Sequence, residues 1–213
     1  MDSNNFYTCL KTSFPFTPTI KQNIGLQKLS NFIFSTLTND IFVLKGYAGT
    51  GKTTIISVLV KNLWHAQKTA VLLAPTGRAA KVISNYSKSE AFTIHKKIYV
   101  PRAEKNGKIS FVLAPNKHKK TLFIVDEASM IPEDSKDSLG NRSLLKDLIE
   151  YIYEGVDCKL ILIGDTAQLP PIHLEISPAL DEERIELNYN KHTICRELKN
   201  VVRQKKNSLI LEN

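Results

Sequence analysis

The sequence is poor in the residues that cross-link a chain or hold it in a membrane. Of its 213 residues only three are cysteine, and Cys9, Cys158 and Cys195 are odd in number with no C-x-x-C spacing. They indicate neither a disulfide framework nor a zinc site. No apolar run approaches the roughly 18 residues of a membrane span, and residues 1–10 lack the basic region and apolar core of a signal peptide. We therefore predict a cytoplasmic protein.

Apolar residues and positive charge are both plentiful. Hydrophobic residues make up 42% of the chain, which at this length is enough to bury a sizeable core. Lys and Arg number 29 against 21 Asp and Glu, so the formal net charge is +8. Residues 96–120 alone contain eight Lys and Arg and one acid, which places a net charge of +7 in one segment. Such a segment suits a polyanionic partner.

The clearest motif is GYAGTGKT at residues 46–53, which satisfies the P-loop pattern G-x-x-x-x-G-K-[ST]. It follows the apolar run 41–44 and precedes the helical run 54–64, as a P-loop between strand and helix requires. Its glycines let consecutive backbone N–H groups point at phosphate oxygens beside a helix N-terminus. Lys52 would reach the β- and γ-phosphates, and the Thr53 hydroxyl would ligate Mg²⁺. The motif predicts that the chain binds a nucleotide.

Short apolar runs alternate with helical patterns along the rest of the chain. They predict helices at 19–35, 54–64, 79–85 and 144–152, and strands at 41–44, 70–74, 121–125 and 160–163. Because these strands are apolar throughout, we predict an α/β fold with a mainly parallel sheet and helices on both faces. We also expect an extended arm over 1–18, a possible strand at 184–187 and a polar helix or turn at 194–199.

A hairpin signal lies inside the basic segment. Asn106-Gly107 separates the runs 98–103 and 108–113, and Asn-Gly between two such runs is the strongest short-range signal for a β-hairpin. We predict a cationic hairpin over roughly 97–114 that stands off the sheet. The alternative is an ordinary solvated hairpin whose charges only keep its edges from aggregating.

Polar residues follow two of the predicted strands. Asp126 comes at the end of 121–125, on the sheet edge that also carries the P-loop, where a carboxylate can hold Mg²⁺. Glu127 beside it can accept a proton from the attacking water. Gln168, past the strand 160–163, could contact the γ-phosphate, although spacing alone would make it a capping or loop residue. Arg203 is equally ambiguous by itself, although a planar guanidinium suits the phosphate charge of a transition state.

Together these motifs resemble a known family. The series GYAGTGKTT, APTGRAA, FTIH, IVDEASM, GDTAQLPP and NVVRQ resembles, in order and spacing, the motor-core motifs of superfamily 1 DNA helicases. The RecD-like branch, which moves 5′ to 3′, is the most similar, and the resemblance covers about residues 19–206. It implies an ATP-dependent enzyme with a RecA-like P-loop core of the AAA type and a place in DNA repair or recombination. The implied division is an arm (1–18), a RecA-like domain (19–95 and 121–213) and an inserted hairpin (96–120).

The resemblance also implies roles for individual residues. Gln27 would read adenine, Thr53 and Asp126 would hold Mg²⁺, and Glu127 would be the general base. Gln168 would sense the γ-phosphate, and Arg203 would be an arginine finger. The nucleotide would lie against Gly46, Tyr47, Ala48, Gly49, Thr50, Gly51, Lys52, Thr53 and Thr54. Single-stranded DNA would lie against Pro75, Thr76, Gly77, Arg78, Thr93, His95, Lys96 and Lys97.

Helicases of this family carry two RecA-like domains with ATP between them, whereas this sequence stops at Asn213, just after the fourth motif. We therefore expect a partner domain elsewhere in a longer protein, and weak or no ATP hydrolysis by these residues alone. Single-stranded DNA and duplex junctions are the other expected partners. Two alternatives stay open: a nucleotide-dependent nucleic-acid-binding module without motor activity, and a P-loop small-molecule kinase, in which the hairpin, Gln168 and Arg203 would have no purpose.

Overall fold

The structure is a computed structural model that describes residues 1–103, 109–132, 143–167 and 177–200. Its helices are α1 (Ser3–Thr12), α2 (Ile20–Phe34), α3 (Lys52–Asn62), α4 (Gly77–Ser87), α5 (Ile94–Ile98), α6 (Leu144–Glu154) and α7 (Glu182–Tyr189). Its strands are β1 (Asp40–Gly46), β2 (Thr69–Ala74), β3 (Ala91–Thr93), β4 (Tyr99–Ala103), β5 (Ile109–Leu113), β6 (Thr121–Val125), β7 (Lys159–Gly164) and β8 (His192–Leu198). Within these described ranges, no helix is long and apolar enough to cross a membrane.

Six strands form one sheet in the order β3-β2-β6-β7-β1-β8, and every neighbouring pair is parallel. In this register Leu44 of β1 lies opposite Ile163 of β7 on one side and Arg196 of β8 on the other. A parallel sheet brings the carboxyl ends of its strands to one edge. The loops that follow β1, β2, β3, β6 and β7 therefore meet along this carboxyl edge.

Residues 41–44 of β1 are apolar because both faces of the sheet are covered there. Ile41 and Val43 belong to a core that includes α5, α6 and α7, whereas Phe42 and Leu44 belong to a second core with α1, α2, α3 and α4. All four side chains are fully buried. This arrangement confirms the predicted α/β class with helices on both faces of a parallel sheet.

The first segment is not the extended arm that the sequence suggested. The Asp2 side chain accepts a hydrogen bond from the Asn5 backbone N–H at 2.8 Å and so caps α1. Phe6 and Leu10, one turn apart on this helix, are fully buried in the core that α2 and α3 also line. The prolines at 15 and 18 keep only the stretch after α1 out of a helix.

Two other expectations were also wrong. Residues 184–187 lie in α7 rather than in a strand, because Asp181 caps this helix and Glu182 and Glu183 in its first turn complement the helix dipole. Residues 194–198, expected in a helix or turn, belong to β8, which pairs with β1 at the rim of the sheet. An edge strand is half exposed, so it can carry polar residues. The sequence of β8 therefore lacks the apolar run by which the other strands were predicted.

The hairpin strands β4 and β5 form a separate antiparallel pair, with Tyr99 opposite Leu113 and Ala103 opposite Ile109. This confirms the two predicted strands, while the predicted Asn106-Gly107 turn lies outside the described residues. The hairpin is not independent of the core. Tyr99 is buried, and its hydroxyl donates a hydrogen bond of 2.7 Å to Asp147 on α6. Only the outer part of the pair stands away from the main sheet.

Candidate nucleotide site and nucleic-acid face

The P-loop follows β1 and leads directly into α3, as the motif requires. Two of its glycines have backbone conformations that other residues rarely adopt, with φ of +77° at Gly49 and +95° at Gly51. Gly46 permits a close approach instead, since a Cβ there would lie 2.8 Å from both the Leu198 carbonyl oxygen and the Thr50 hydroxyl. The loop therefore depends on glycine for two different physical reasons.

The Lys52 side chain is the cation of the loop. Its Nζ donates hydrogen bonds to the carbonyl oxygens of Gly46 at 2.6 Å and Tyr47 at 3.0 Å. It also lies 3.9 Å from Oδ2 of Asp165, a carboxylate just after β7. Both charged side chains are largely buried, so their attraction is screened less than that of a surface pair. The positive charge faces the space that the loop encloses.

A cleft of about 440 Å³ lies beside the loop, which is within the usual size range of ligand sites. Of the nine predicted residues in the P-loop segment, the eight from Tyr47 to Thr54 line it, and Gly46 is buried. The aromatic side chains of Phe14, Phe16 and Tyr47 contribute to the same cleft. Apolar surface suited to a base and polar groups suited to phosphates are thus found in one cavity.

The structure places a different glutamine in this cleft from the one expected. Gln27 is exposed on α2 and does not line the cleft, whereas Gln22, at the start of the same helix, does. The Gln22 amide donates to the Thr50 carbonyl oxygen at 2.9 Å, and its oxygen accepts from the Thr19 backbone N–H at 3.0 Å. The capping-box pattern Thr19-x-x-Gln22 was a signal in the sequence that could have identified it.

Asp126 and Glu127 follow β6 at the middle of the carboxyl edge, and both line the cleft. The Asp126 backbone N–H donates to the Leu73 carbonyl oxygen of β2 at 3.0 Å, which ties the pair to the sheet. Glu127 has a left-handed backbone with φ of +54°, and its N–H donates to Oδ1 of Asp126 at 3.0 Å. Strained backbone of this kind at a cleft is typical of functional sites.

Tyr86 on α4 is a cleft residue that the sequence did not single out. Its hydroxyl donates a hydrogen bond to Oδ2 of Asp126. Burial raises the pKa of the Tyr86 hydroxyl far above its ordinary value, and the nearby Asp126 carboxylate raises this pKa further. The hydroxyl therefore keeps its proton at any physiological pH and acts as a donor.

The oxygen groups of this cleft fit a hard cation such as Mg²⁺. Thr53 and Asp126 line the same cleft and supply a hydroxyl and a carboxylate. Among the described residues there is no cluster of three His, Cys, Asp or Glu. A site with so few protein ligands suits Mg²⁺, which keeps several waters and is completed by substrate phosphates.

The residues predicted to contact DNA lie at the other end of the carboxyl edge, after β2 and β3. Ala74 pairs with Thr93 in the sheet, and the side chains of Thr76 and Thr93 cap α4 and α5. Gly77, Arg78, His95 and Lys96 are exposed, and Pro75 is half-buried at the start of its loop. The ammonium groups of Lys96 and Lys97 lie 5.7 and 5.3 Å from the centre of the Phe92 ring. All eight residues therefore lie at two neighbouring strand-to-helix junctions, from β2 to α4 and from β3 to α5.

The basic segment does not form one cationic surface. Lys96 and Lys97 are on α5 at the carboxyl edge, and Arg102 is on the hairpin. Lys117, Lys119 and Lys120 lie at the opposite edge, where the Lys120 backbone pairs with Val156 and Thr69 at the start of β2. Between these groups the chain runs from the carboxyl edge of the sheet to the opposite edge. Charges that are close in sequence are therefore far apart in space. Gln168 and Arg203 lie outside the described residues.

Comparisons with known proteins bear on the family that the motifs resemble. A protein-family model described as "AAA domain" matches residues 33–211. The ATP-dependent DNA helicase dda of Enterobacteria phage T4 is 35% identical over 132 residues, which cover 61% of this chain. The ATP-dependent RecD2 DNA helicase of Deinococcus radiodurans is 30% identical over 133 residues, or 62% of this chain. These relatives confirm the resemblance to RecD-like helicases that the motifs indicated.

The matched relatives are much longer than this chain. The matches span 28% of the phage helicase and 16% of the Deinococcus protein. A solved structure of Pif1 helicase from Bacteroides in complex with ADP-AlF3 and ssDNA aligns with 90% of this chain and 44% of its own, at 20% identity and a TM-score of 0.49.

Proposed function

The chain belongs to the AAA domain family, and from that premise we propose that it is the ATP-binding motor domain of an ATP-dependent DNA helicase. One observation carries the proposal. The P-loop, the Asp126-Glu127 pair and the segments 75–78 and 94–97 all follow parallel strands of one sheet. The ATP site and the surface for single-stranded DNA would then lie along the same edge of one rigid sheet. A structural change at the ATP site could therefore be transmitted to the DNA surface.

The phosphates would lie in the P-loop, against backbone N–H groups and the Lys52 ammonium. Because this ammonium already points at carbonyl oxygens of the loop, a phosphate oxygen can replace those acceptors without a large movement. The base would lie near Phe14, Phe16 and Tyr47, with Gln22 in the role that the motifs had suggested for Gln27.

Thr53 and Asp126 would hold Mg²⁺, which when bound neutralises charge on the phosphate oxygens. Glu127 would accept the proton of the attacking water as general base. The hydrogen bond from its backbone N–H to Asp126 fixes the Glu127 backbone. The Glu127 side chain therefore starts from a fixed position beside the metal ligand. Gln168 as phosphate sensor and Arg203 as arginine finger stay predictions.

Single-stranded DNA would cross the loops after β2 and β3, where Arg78, His95 and Lys96 are exposed. Aromatic and cationic side chains at Phe92 and Lys97 suit bases and phosphates respectively. Movement along DNA and unwinding at duplex junctions would need a second RecA-like domain that closes over ATP, and the hairpin would act beside it as a wedge.

A single-turnover ATP hydrolysis assay, with and without oligothymidylate, tests this proposal. It should be run on the 213-residue chain and on a longer chain that carries a second motor domain. We expect both to bind ATP, but only the longer chain to hydrolyse it quickly and to respond to DNA. If DNA changed neither binding nor hydrolysis in the longer chain, the motor function would be wrong. A chain that bound DNA only with nucleotide present, yet never hydrolysed it, would favour the binding-module alternative.

A further inference from the structure

The edge of the sheet that faces away from the P-loop carries a row of lysines. We call it the amino edge, because β2, β6, β7, β1 and β8 begin there. Neighbouring strands lie about 4.8 Å apart, so from β2 to β8 this edge is roughly 20 Å long. Four of these five strands have a lysine as their first residue or directly before it: Lys68, Lys120, Lys159 and Lys191. Lys117 and Lys119 add further charge on the segment that enters β6.

The carboxylates beside this row are already engaged, whereas three of the lysines are not. Asp157 accepts a hydrogen bond of 2.7 Å from the Lys68 ammonium, and Glu154 accepts the Asn116 backbone N–H at 3.1 Å. The side chains of Lys117, Lys119 and Lys120 are exposed. Within the part of the chain that the structure describes, none of these three forms an ion pair with a carboxylate. The segment 117–120 therefore presents uncompensated positive charge to solvent.

The only tryptophan of the chain lies at the same edge. Trp64 is 69% exposed, and its ring stacks on the His65 ring with the centroids 3.5 Å apart and the planes inclined by 30°. Its turn is joined to the lysine segment through the backbone. The Gln67 N–H donates to the Trp64 carbonyl oxygen at 3.0 Å, and the Thr69 N–H donates to that of Lys120 at 3.1 Å. An exposed, already oriented aromatic ring thus lies a few residues from free ammonium groups.

We propose that the amino edge binds a single strand of nucleic acid, with phosphates on the lysines of 117–120 and a base on the Trp64 ring. Lysines that neutralise phosphates supply affinity, and an exposed aromatic ring stacks on a base that has no pairing partner. An acidic protein segment would use the same lysines, but it has no base for the ring. The proposal goes beyond the motor function, because it needs neither the nucleotide cleft nor the segments after β2 and β3.

Tryptophan fluorescence tests this proposal directly, because Trp64 is the only tryptophan and its emission reports on this edge alone. The 213-residue chain, without nucleotide, is titrated with labelled oligothymidylate. Tryptophan emission and the anisotropy of the label are recorded together. Bound oligothymidylate should quench the emission, because a thymine base stacks on the Trp64 ring. An abasic oligomer of the same length should raise the anisotropy with little quenching, since it offers phosphates but no base.

The lysines are tested by changing Lys117, Lys119 and Lys120 together to Gln. The salt dependence of the quenching midpoint should then fall by about 0.7 per lysine removed, the value for a phosphate contact with a single strand. The matched control changes three exposed lysines of α1 and α2 to Gln, namely Lys11, Lys21 and Lys28. It removes the same charge away from the amino edge, so it should keep the parental midpoint and salt dependence.

Three results would overturn the proposal. If anisotropy shows bound oligothymidylate while Trp64 emission does not change, nucleic acid uses another surface and the amino edge is not a binding site, although the motor function stands. If the triple Gln variant is quenched with the parental midpoint and salt dependence, the lysines of 117–120 hold no phosphates. If vesicles of phosphatidylserine change the emission and oligothymidylate does not, the edge binds an anionic lipid surface instead.

Discussion

The nucleotide cleft and the β4–β5 hairpin are built in opposite ways. The cleft collects side chains from five distant parts of the chain, including Gln22, Lys52, Tyr86, Asp126 and Asp165. The hairpin joins residues close in sequence, and its outer positions, such as Ile109 at 69% exposure, face solvent. Side chains of the cleft bond to one another, as Tyr86 does to Asp126. The outer, described residues of the hairpin are joined by their backbone pairing and by a hydrogen bond of 3.4 Å from the Ser110 hydroxyl to the Arg102 carbonyl oxygen.

This difference predicts how each region responds to substitution. In the cleft, each group limits the position of the next, so one change can disturb the whole site. On the hairpin, charges act on a nucleic acid nearly independently, so effects should be small and additive. The four experiments below examine this contrast, from the largest expected effect to the smallest.

Replacing Glu127 with Gln should lower ATP hydrolysis by roughly 100- to 10,000-fold, the usual contribution of a general base. Nucleotide affinity should not change, because the contact between Glu127 N–H and Asp126 belongs to the backbone. The measurement is single-turnover hydrolysis in a chain with the second motor domain. Glu150→Gln, an exposed change on α6, is the control. Parental turnover in Glu127→Gln would assign the base elsewhere.

Lys52→Ala should reduce affinity for a fluorescent ATP analogue by about 100-fold, since charge-assisted bonds to phosphate are lost. The folded state should remain, as checked by circular dichroism. Lys61→Ala, at the exposed last turn of the same helix, removes an equal charge away from the cleft and should bind normally. Tight Mg²⁺-ATP binding by Lys52→Ala would contradict the assignment of the P-loop.

Gly51→Ala should weaken nucleotide binding by about tenfold, because φ of +95° strains an alanine. The new Cβ would also come within 2.4 Å of the Gln22 amide nitrogen and displace it. Gly25→Ala is the matched change: this residue is inside α2, has no positive φ and has nothing within 4 Å of a Cβ. It should stabilise the chain by about 0.5–1 kcal/mol in denaturant unfolding. Equal effects of the two changes would contradict this account of the loop.

Shortening the hairpin should have the smallest effect on ligand binding. The runs that flank Asn106-Gly107 span 98–113, but Ile98 and Tyr99 are core residues, so we would replace only 101–111 with Asn-Gly. This removes three basic residues, Arg102, Lys105 and Lys108, and one acid. The salt dependence of single-stranded DNA binding should fall by about 0.7 per lost phosphate contact.

The control for this change keeps the hairpin and replaces the same three basic residues with Gln. It should match the shortened chain in its salt dependence, and both should bind nucleotide normally. In a chain with both motor domains, only the shortened hairpin should uncouple hydrolysis from unwinding. An unchanged unwinding rate would leave the hairpin as a solvated decoration.

Much of the fold could be predicted because its signals are local. The strand, glycine turn and helix around residues 41–64 follow from neighbouring residues, and buried parallel strands are apolar throughout because both faces are covered. The same logic failed for β8, whose exposed side allows Arg196 and Glu197, and for α1, whose two buried apolar residues could not be told from a packed arm.

What the sequence by itself determined was the chemistry available: a P-loop, a carboxylate pair after an apolar strand, and a strongly basic segment. Only the tertiary structure decided which groups meet. It brought Tyr86 to Asp126 across 40 residues of chain, chose Gln22 over Gln27, and divided the charge of 96–120 between two edges of the sheet. The physical reason is range: local pattern specifies backbone conformation within a few residues, whereas contacts between distant side chains depend on the order and register of the strands that carry them.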